Sequence, residues 1–356
     1  MNPKFALVLA GWTLLLANQV AEPPARPVGP TAVERRVFVM GTTCDATVFA
    51  TNRPTGLEAL EDAFAELRHL DRILSDYDPD SELSALNAWP VGAPRPCSNE
   101  LFEILVRSED LLRRTHGAFD PAIGALTRAW DLRGGGRIPS PARLAAARAG
   151  SGLGLLELVH SRRIATRRHP DLQLDPGAFG KGAALDRAAQ ILRARGIAAA
   201  LLDFGGQVLA LGAPPDQSYW HVAIAHPSDR SRPVLELGLK EISVATSGQG
   251  ERNRIVQGRM LGHILDPRSG VPVPAYGSVT VLASSAFDAD ALATALYVMG
   301  PDAGLAWAAR QRDLEVLYLV QEGQRLRVRG SAGIFAHIGA VAPEIIVPDR
   351  PFPHSL

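Results

Sequence analysis

Two kinds of hydrophobic spacing alternate along the chain. In residues 57–74 apolar side chains recur every three or four positions, and residues 99–115, 183–195 and 289–299 are also predicted to be helices. Residues 36–50 are instead rich in β-branched and aromatic side chains around one glycine, which predicts a strand pair or a bulged strand. Further strands are predicted at 198–204, 219–225, 234–239, 242–246, 278–283 and 316–320.

The composition is that of a folded protein of enzyme size. Hydrophobic residues make up 46% and charged residues 21% of the 356 residues, which excludes a wholly disordered chain. The 33 glycines and 27 prolines favour many turns between strands and helices over long uninterrupted helices. The 37 basic and 37 acidic side chains cancel. We therefore expect no long-range attraction to nucleic acid or to anionic lipid.

The first residues have the pattern of an export segment. Lys4 is the only charged residue before Glu22, and the apolar run at 5–16 is too short to span a bilayer comfortably but fits a secretory signal. An uncleaved N-terminal anchor stays open as an alternative, because no clean small-residue cleavage site follows. The expected organisation is an export signal or anchor at 1–21, a proline-rich linker at 22–34, one folded domain at 35–345 and a C-terminal tail at 346–356.

Cys44 and Cys97 are the only cysteines. Outside the cytosol they could form one disulfide, although nothing in the sequence requires it. Neither has a Cys-x-x-Cys partner or a nearby histidine. We expect a structural or free-thiol role and no zinc or redox site.

A glycine-rich segment at 174–182 precedes the helix predicted from residue 183. Its glycines at 177, 180 and 182 allow close approach of a ligand to the backbone, and the helix N-terminus together with Lys181 favours an anion. The spacing differs from that of the phosphate-binding loop of nucleotide hydrolases. Taken alone, such a segment is more often only a turn.

Asp290 and Thr294 lie four residues apart on the helix predicted at 289–299, so a carboxylate and a hydroxyl share one face. Small alanines surround them, and such oxygen ligands suit Mg²⁺, which needs few protein ligands besides water and phosphate. The alternative is that Asp288 or Asp290 only interacts with the helix dipole.

His263 lies beside a tight Asp-Pro turn, in the segment 262–270. A lone histidine is usually structural, and His263 becomes a candidate base only if it lies near phosphate and metal groups. Two polar turns at 76–79 and 118–121 each contain one aromatic residue that could stack on a flat ring or merely pack against the surface.

Taken together and in this order, these segments resemble the FAD:protein FMN transferases, the ApbE-type flavin transferases. The resemblance spans residues 36–340, and single motifs are weak whereas the ordered set is specific. The matching pieces are Met40-Gly-Thr42, Tyr77 within 75–82, Ala118-Phe-Asp120, the segment 175–182, Phe204-Gly-Gly206, the segment 244–248, His263-Ile-Leu-Asp-Pro267 and Asp290-Ala-Leu-Ala-Thr294.

The resemblance implies an α+β fold, ApbE-like and related to the T-fold, with antiparallel sheets flanked by helices. It implies a Mg²⁺-dependent enzyme that splits the pyrophosphate of FAD and releases AMP. FMN would pass to a threonine or serine of an exported acceptor protein that carries an Asp-x-x-Ser/Thr-Ala-Thr motif. The expected location is the periplasm or the outer face of the inner membrane.

The resemblance also assigns roles to single residues. His263 matches the histidine associated with transfer, and Asp290, Thr294 and the backbone carbonyl of Ala178 match the metal ligands. Positions that look like FAD contacts are Met40, Tyr77, Ala118, Phe119, Asp120, Asp175, Lys181 and Ile264.

Two other functions fit the same residues. A metal-dependent FAD pyrophosphatase would use water in place of the acceptor hydroxyl and give free FMN and AMP. A non-catalytic exported FAD-binding protein would leave the dinucleotide intact. The presence of both Asp290 and Thr294 argues against mere binding, because stacking and phosphate recognition need no metal pair.

Overall fold

The computed structural model describes residues 29–249 and 254–347. The predicted export segment at 1–21 lies outside the described residues, as do 22–28 of the predicted linker and 348–356 of the predicted tail. The first strand begins at Thr31, within the segment expected to be linker, because Thr31 to Val39 pair in full with Thr42 to Ala50. Within the part of the chain that the structure describes, no helix is both long and apolar enough to cross a membrane.

A nine-stranded sheet forms the centre of the molecule, in the order β1-β2-β6-β7-β10-β15-β16-β17-β19. Its neighbours are antiparallel except β17 and β19, which are parallel. These strands are β1 (Thr31–Val39), β2 (Thr42–Ala50), β6 (Ala199–Phe204), β7 (Gln207–Leu211), β10 (Ile242–Gly248), β15 (Gly277–Ala283), β16 (Leu314–Glu322), β17 (Arg325–Gly330) and β19 (Ile345–Ile346).

Smaller sheets lie around the central one. A three-stranded sheet has the order β18-β9-β8, another has the order β3-β5-β4, and two hairpins pair β11 with β12 and β13 with β14. Their bounds are β3 (Arg95–Pro96), β4 (Leu156–Val159), β5 (Ile164–Arg167), β8 (Trp220–His226), β9 (Asp229–Leu239), β11 (Arg254–Val256), β12 (Arg259–Leu261), β13 (Leu265–Asp266), β14 (Val271–Pro272) and β18 (Ile338–Val341).

Most of the helices begin at the polar caps that their sequences supply. Asn52, Ser98 and Ser285 each accept a hydrogen bond from a backbone N–H of the first turn that follows them, which satisfies one donor that the helix cannot pair internally. The helices are α1 (Arg53–Leu74), α2 (Glu82–Asn87), α3 (Asn99–Arg114), α4 (Gly124–Ala129), α5 (Pro141–Ala149), α6 (Gly180–Ala194) and α7 (Ala286–Ala308), with 3₁₀ turns at Leu153–Leu155, His160–Arg162, Pro176–Ala178 and Ile334–Ala336.

The central sheet is buried on both faces. Because successive strand residues point to opposite faces, Val281 and Val316 pack with α1, α6 and α7, whereas Leu282 and Leu317 pack against the sheet of β8, β9 and β18. The resulting layers are helices, a large sheet and a small sheet. A third apolar cluster joins α4 and α5 to Leu261 and Leu265, and it supports the segment that contains His263.

Helix α7 has a sharp kink. Gly300 has φ 78° and ψ 170°, and Pro301 follows it, so the helical hydrogen bonds are interrupted there. The predicted helix at 289–299 is therefore the part of α7 before the kink, extended by one turn toward Ser285.

The predicted helices at 57–74, 99–115 and 183–195 are confirmed, as are the strand pair at 36–50 and the six later strands. Cys44 and Cys97 are both buried and free, so the structure contains no disulfide between them.

Candidate functional site

The candidate site lies where the beginning of α6 meets α7. Asp290 of α7 is only 7% exposed. Lys181 Nζ lies 3.1 Å from its Oδ1 and 3.3 Å from its Oδ2, and the backbone N–H of Gly182 donates to Oδ2 over 3.1 Å. The carboxylate is thus held by an ammonium group and by a free N–H of the first helical turn, the kind of donor that favours an anion.

This contact depends on the glycine at 182. A β-carbon at that position would lie 2.2 Å from the carbonyl oxygen of Ala286 and 2.7 Å from Cα of Phe287, both backbone atoms that cannot move aside. Glycine therefore lets the two helices approach closely. The approach brings the backbone of α6 within hydrogen-bond distance of Asp290.

A second carboxylate joins the same two helices, but here the acceptor lies on α6 and the donors lie at the start of α7. Asp186 of α6 accepts hydrogen bonds from the backbone N–H groups of Ala286 and Phe287, over 2.6 and 3.2 Å, and from the Ser285 hydroxyl over 2.8 Å. Arg107 of α3 lies 3.3 Å from the same carboxylate. Asp186 thereby fixes the N-terminus of α7, which lies about one turn before Asp290.

Oxygen donors suited to a hard cation occur around this junction. Thr294 follows Asp290 by four residues, and its hydroxyl lies 3.4 Å from that of Ser247 on β10. The turn Pro176–Ala178, whose last carbonyl is the third predicted ligand, contacts α7. In residues 29–249 and 254–347, no group of three or more His, Cys, Asp and Glu could hold a metal. One carboxylate, one hydroxyl and one carbonyl suit Mg²⁺, which keeps several waters and binds substrate phosphates.

Arg133 organises a second part of the site. Its guanidinium forms ion pairs with Asp76 and with Asp175, the latter over 3.0 Å, and lies 4.9 Å from the centre of the Tyr77 ring. Burial raises the pKa of Asp76, an effect that the hydrogen bond from Arg133 opposes. Two predicted FAD contacts, Tyr77 and Asp175, are thus joined by an arginine from the loop that follows α4.

Tyr77 is 80% exposed, so a large aromatic face is open to solvent. The sequence analysis did not include Arg133 among the candidate site residues. The signal available was the Arg-Gly-Gly-Gly sequence at 133–136, but nothing local indicates which carboxylates the arginine meets.

The remaining predicted FAD contacts differ in how they are placed. Met40, with φ 49°, occupies the β1–β2 turn, and its Cε lies 3.3 Å from where a β-carbon on Gly180 would be. Ala118 and Phe119 are buried, and their N–H groups donate to the carbonyl and the hydroxyl of Thr115, each over 3.1 Å. Asp120 accepts hydrogen bonds from the N–H groups of residues 122 and 153, and burial raises its pKa.

His263 and Ile264 lie between β12 and β13. His263 is half-buried and Ile264 is 7% exposed. The buried amide of Gln249, which the sequence interpretation did not single out, contacts the backbone on both sides of His263.

A cavity of about 310 Å³ lies elsewhere, bordered by α3, α6 and the end of β7. Its lining includes Arg107, Asp186 and Ser285 but none of the predicted ligand contacts. We assign the site to the Asp290 junction because that is where the polar groups suited to phosphate and cation binding converge.

Comparisons with known proteins agree with the fold and with the family resemblance of the sequence. The FAD:protein FMN transferase of Treponema pallidum is 33% identical over 324 residues, which cover 84% of this chain and 87% of that protein. That of Klebsiella pneumoniae is 30% identical over 326 residues, or 90% of this chain and 93% of that protein.

Solved structures match over a similar length. The apo flavinyl transferase ApbE of Pseudomonas stutzeri has a TM-score of 0.78 at 30% identity, covering 88% of this chain and 98% of that one. The flavin transferase ApbE of Vibrio cholerae has a TM-score of 0.76 at 28% identity, covering 86% and 99%. The predicted α+β fold with antiparallel sheets flanked by helices is confirmed. Residues 40–318 match the model of the ApbE family, and the chain therefore belongs to that family.

Proposed function

We propose that this protein is an FAD:protein FMN transferase that moves FMN from FAD onto a threonine or serine hydroxyl of an acceptor protein and releases AMP. Family membership supports the reaction class. The observation that carries the proposal is the junction of α6 and α7, where Lys181 Nζ and the Gly182 N–H meet the buried carboxylate of Asp290. Such a junction combines groups that bind a cation with groups that bind phosphate oxygens.

The reaction exchanges one phosphorus–oxygen bond for another. The acceptor hydroxyl oxygen bonds to the phosphorus on the FMN side of the diphosphate, while the bond from that phosphorus to the bridging oxygen breaks. The bridging oxygen leaves with its electron pair as part of AMP. Negative charge grows on the phosphate oxygens and on the leaving AMP, so catalysis requires fixed positive groups nearby.

The residues of the chain have separate tasks in that exchange. Asp290, Thr294 and the carbonyl of Ala178 would hold Mg²⁺, which neutralises charge on the diphosphate when bound. Lys181 is paired with Asp290 and 29% exposed, so its ammonium would also contact a phosphate oxygen of bound FAD. The neutral imidazole of His263 would accept the proton of the acceptor hydroxyl, the task for which histidine is best matched near neutral pH.

Aromatic and charged groups near Arg133 would bind the rest of FAD. The exposed ring of Tyr77 offers a face for a flat heterocycle. Asp175 is held by Arg133 over 3.0 Å and caps the turn that leads to Ala178. Binding of the dinucleotide and placement of the metal ligand are therefore linked through one carboxylate.

We further propose that the protein acts outside the cytoplasm, in the periplasm or anchored at the outer face of the inner membrane. The support is the charge and hydropathy pattern of residues 1–21. Its acceptor would then be an exported protein with an Asp-x-x-Ser/Thr-Ala-Thr motif.

The test is covalent labelling of an acceptor. Purified protein is mixed with FAD, Mg²⁺ and an acceptor domain that carries the motif, and the denatured acceptor is examined for flavin fluorescence while AMP is measured by chromatography. We expect one AMP for each flavin attached, and a fall of about 10²–10⁴-fold in both signals in His263→Ala. His160→Ala, at an exposed histidine, is the matched control.

Other outcomes separate the alternatives. AMP and free FMN without a labelled acceptor would identify a pyrophosphatase. Bound but intact FAD would identify a binding protein, and either result would refute the proposed transfer.

A further inference from the structure

The side-chain amide of Gln249 is almost completely buried. Gln249 follows β10 directly and is 1% exposed. Its Nε2 donates to the carbonyl oxygens of Val273 and Ile264, over 2.8 and 3.2 Å, and its Oε1 accepts from the N–H of Ile264 over 3.4 Å. Both amide donors and the acceptor are therefore paired. A side chain here takes the place of a backbone peptide group in a neighbouring strand.

The Gln249 amide also packs against Gly262, the residue that precedes His263. A β-carbon on Gly262 would lie between 1.9 and 2.1 Å from Oε1, Cδ and Nε2 of Gln249. With the amide in its observed position, residue 262 has room only for glycine. His263 lies between one neighbour that packs on Gln249 and another that is hydrogen-bonded to it.

Two other hydrogen bonds hold the end of the segment 262–270 that is farther from His263. Trp130 Nε1 donates to the carbonyl of Gly270 over 2.7 Å, and Arg148 donates to that of Arg268 over 3.0 Å. Within residues 29–249 and 254–347, the strands Leu265–Asp266 and Val271–Pro272 pair only with each other. Gln249 thus provides a hydrogen-bonded connection between the end of a central strand and the backbone next to His263.

We propose that Gln249 is the positioning residue of His263: its buried amide fixes the backbone at Gly262 and Ile264 and thereby sets where the imidazole meets the acceptor hydroxyl. The inference rests on the proposed function, in which His263 accepts the hydroxyl proton. An error of about 1 Å in such a group costs on the order of 100-fold in rate, and a general base contributes about 10²–10⁴-fold in all.

The test replaces the amide without changing the length of the side chain. Gln249→Met removes both donors and the acceptor, and we expect kcat for flavin transfer to fall about 10- to 100-fold. In a His263→Ala background the same change should lower the residual rate less than about threefold, because no imidazole is left to position. Gln321→Met is the matched control: the Nε2 of Gln321 also donates to two backbone carbonyls, those of Gly323 and Arg325 over 2.7 and 3.3 Å, at the turn between β16 and β17.

A measurement independent of activity accompanies the kinetics. Hydrogen exchange of the peptide that contains residues 262–266 should accelerate in Gln249→Met and not in Gln321→Met, since only the former removes the acceptor for Ile264 N–H. If the unmodified protein transfers no flavin, the proposed function fails, while the exchange result still decides whether Gln249 holds the segment.

Two results would overturn the inference. One is a wild-type kcat in Gln249→Met. The other is an equal fold-loss in the presence and absence of His263, which would mean that Gln249 acts through general folding and not through the imidazole.

Discussion

Replacing Asp290 with asparagine tests the centre of the site with a minimal change in shape. The carboxylate accepts from Lys181 Nζ over 3.1 and 3.3 Å and from Gly182 N–H over 3.1 Å. In Asp290→Asn the amide oxygen can still accept from Gly182, but the charge that Lys181 faces is lost.

The structural cost should be small enough to leave the protein folded. A hydrogen bond to a charged group contributes about 1.5–3 kcal/mol. Lys181 is 29% exposed, so its ammonium can turn toward water and recover part of that amount. We expect the free energy of unfolding to fall by about 1–2 kcal/mol, which in a protein of this size lowers the melting temperature by a few degrees.

The effect on function should be much larger. Loss of the only predicted anionic metal ligand should reduce Mg²⁺-dependent flavin transfer by about 10²–10³-fold, the usual cost of removing one electrostatic partner of the transition state. The melting temperature offers a second measure. Ligand at 100 times its Kd stabilises a protein by about 2.7 kcal/mol, and this gain from Mg²⁺ and FAD should disappear in the variant.

Thermal unfolding with and without Mg²⁺ and FAD, together with flavin labelling of the acceptor, decides the matter. Asp302→Asn is the control, because Asp302 lies on the same helix but its side chain is 91% exposed, and it should behave as the unmodified protein. The reasoning is refuted if Asp290→Asn keeps both the Mg²⁺-dependent stabilisation and the transfer rate.

Three further predictions concern other groups. Arg133→Met should weaken FAD binding about tenfold, or about 1.4 kcal/mol, in a fluorescence titration, because the bridge between Tyr77 and Asp175 is lost; an unchanged Kd would contradict this. Burial raises the pKa of Asp120, so stability should decrease as pH rises from its ordinary pKa through the raised one. Urea unfolding of Asp120→Asn should lack that decrease, and an identical pH dependence would be evidence against it. Burial raises the pKa of Cys44 to about 12 and that of Cys97 to about 11, so both should resist iodoacetamide in the native protein; rapid alkylation seen by mass spectrometry would show otherwise.

Local sequence patterns predicted the elements that have one apolar face and those that are apolar throughout. They missed several shorter elements. Helix α1 has a clear apolar stripe, and β15 is a run of buried residues. Strand β17, with the sequence RLRVRG, was missed because it is short and rich in arginine, although its apolar residues alternate and are buried. Strand β7 follows β6 after the turn Gly205-Gly206, a two-glycine hairpin signal that the prediction did not use.

The sequence predicted those parts of the candidate site in which two residues lie on the same helix or strand, because their spacing along it determines whether they share a face. Asp290 and Thr294 share a helix face because they are four residues apart. Arg133 and Gln249 act across the fold, on groups that are far away in sequence: Arg133 bonds to Asp175, and Gln249 bonds to Ile264 and Val273. No local pattern identifies such partners, because the tertiary structure alone brings them together.

The glycines at 177, 180 and 182 show how a correct local observation can have more than one physical cause. The sequence interpretation gave all three the same purpose, the approach of a ligand to the backbone. At Gly182 the structure shows a different requirement, because the backbone of α7 occupies the space that a β-carbon would need. At Gly177 the nearest atom to a β-carbon would be Asp175 Oδ1, at 3.0 Å. Gly182 therefore sets the distance between the helices and so the reach of Asp290, whereas Gly177 is exposed and its N–H donates to the Asp175 carboxylate over 2.9 Å.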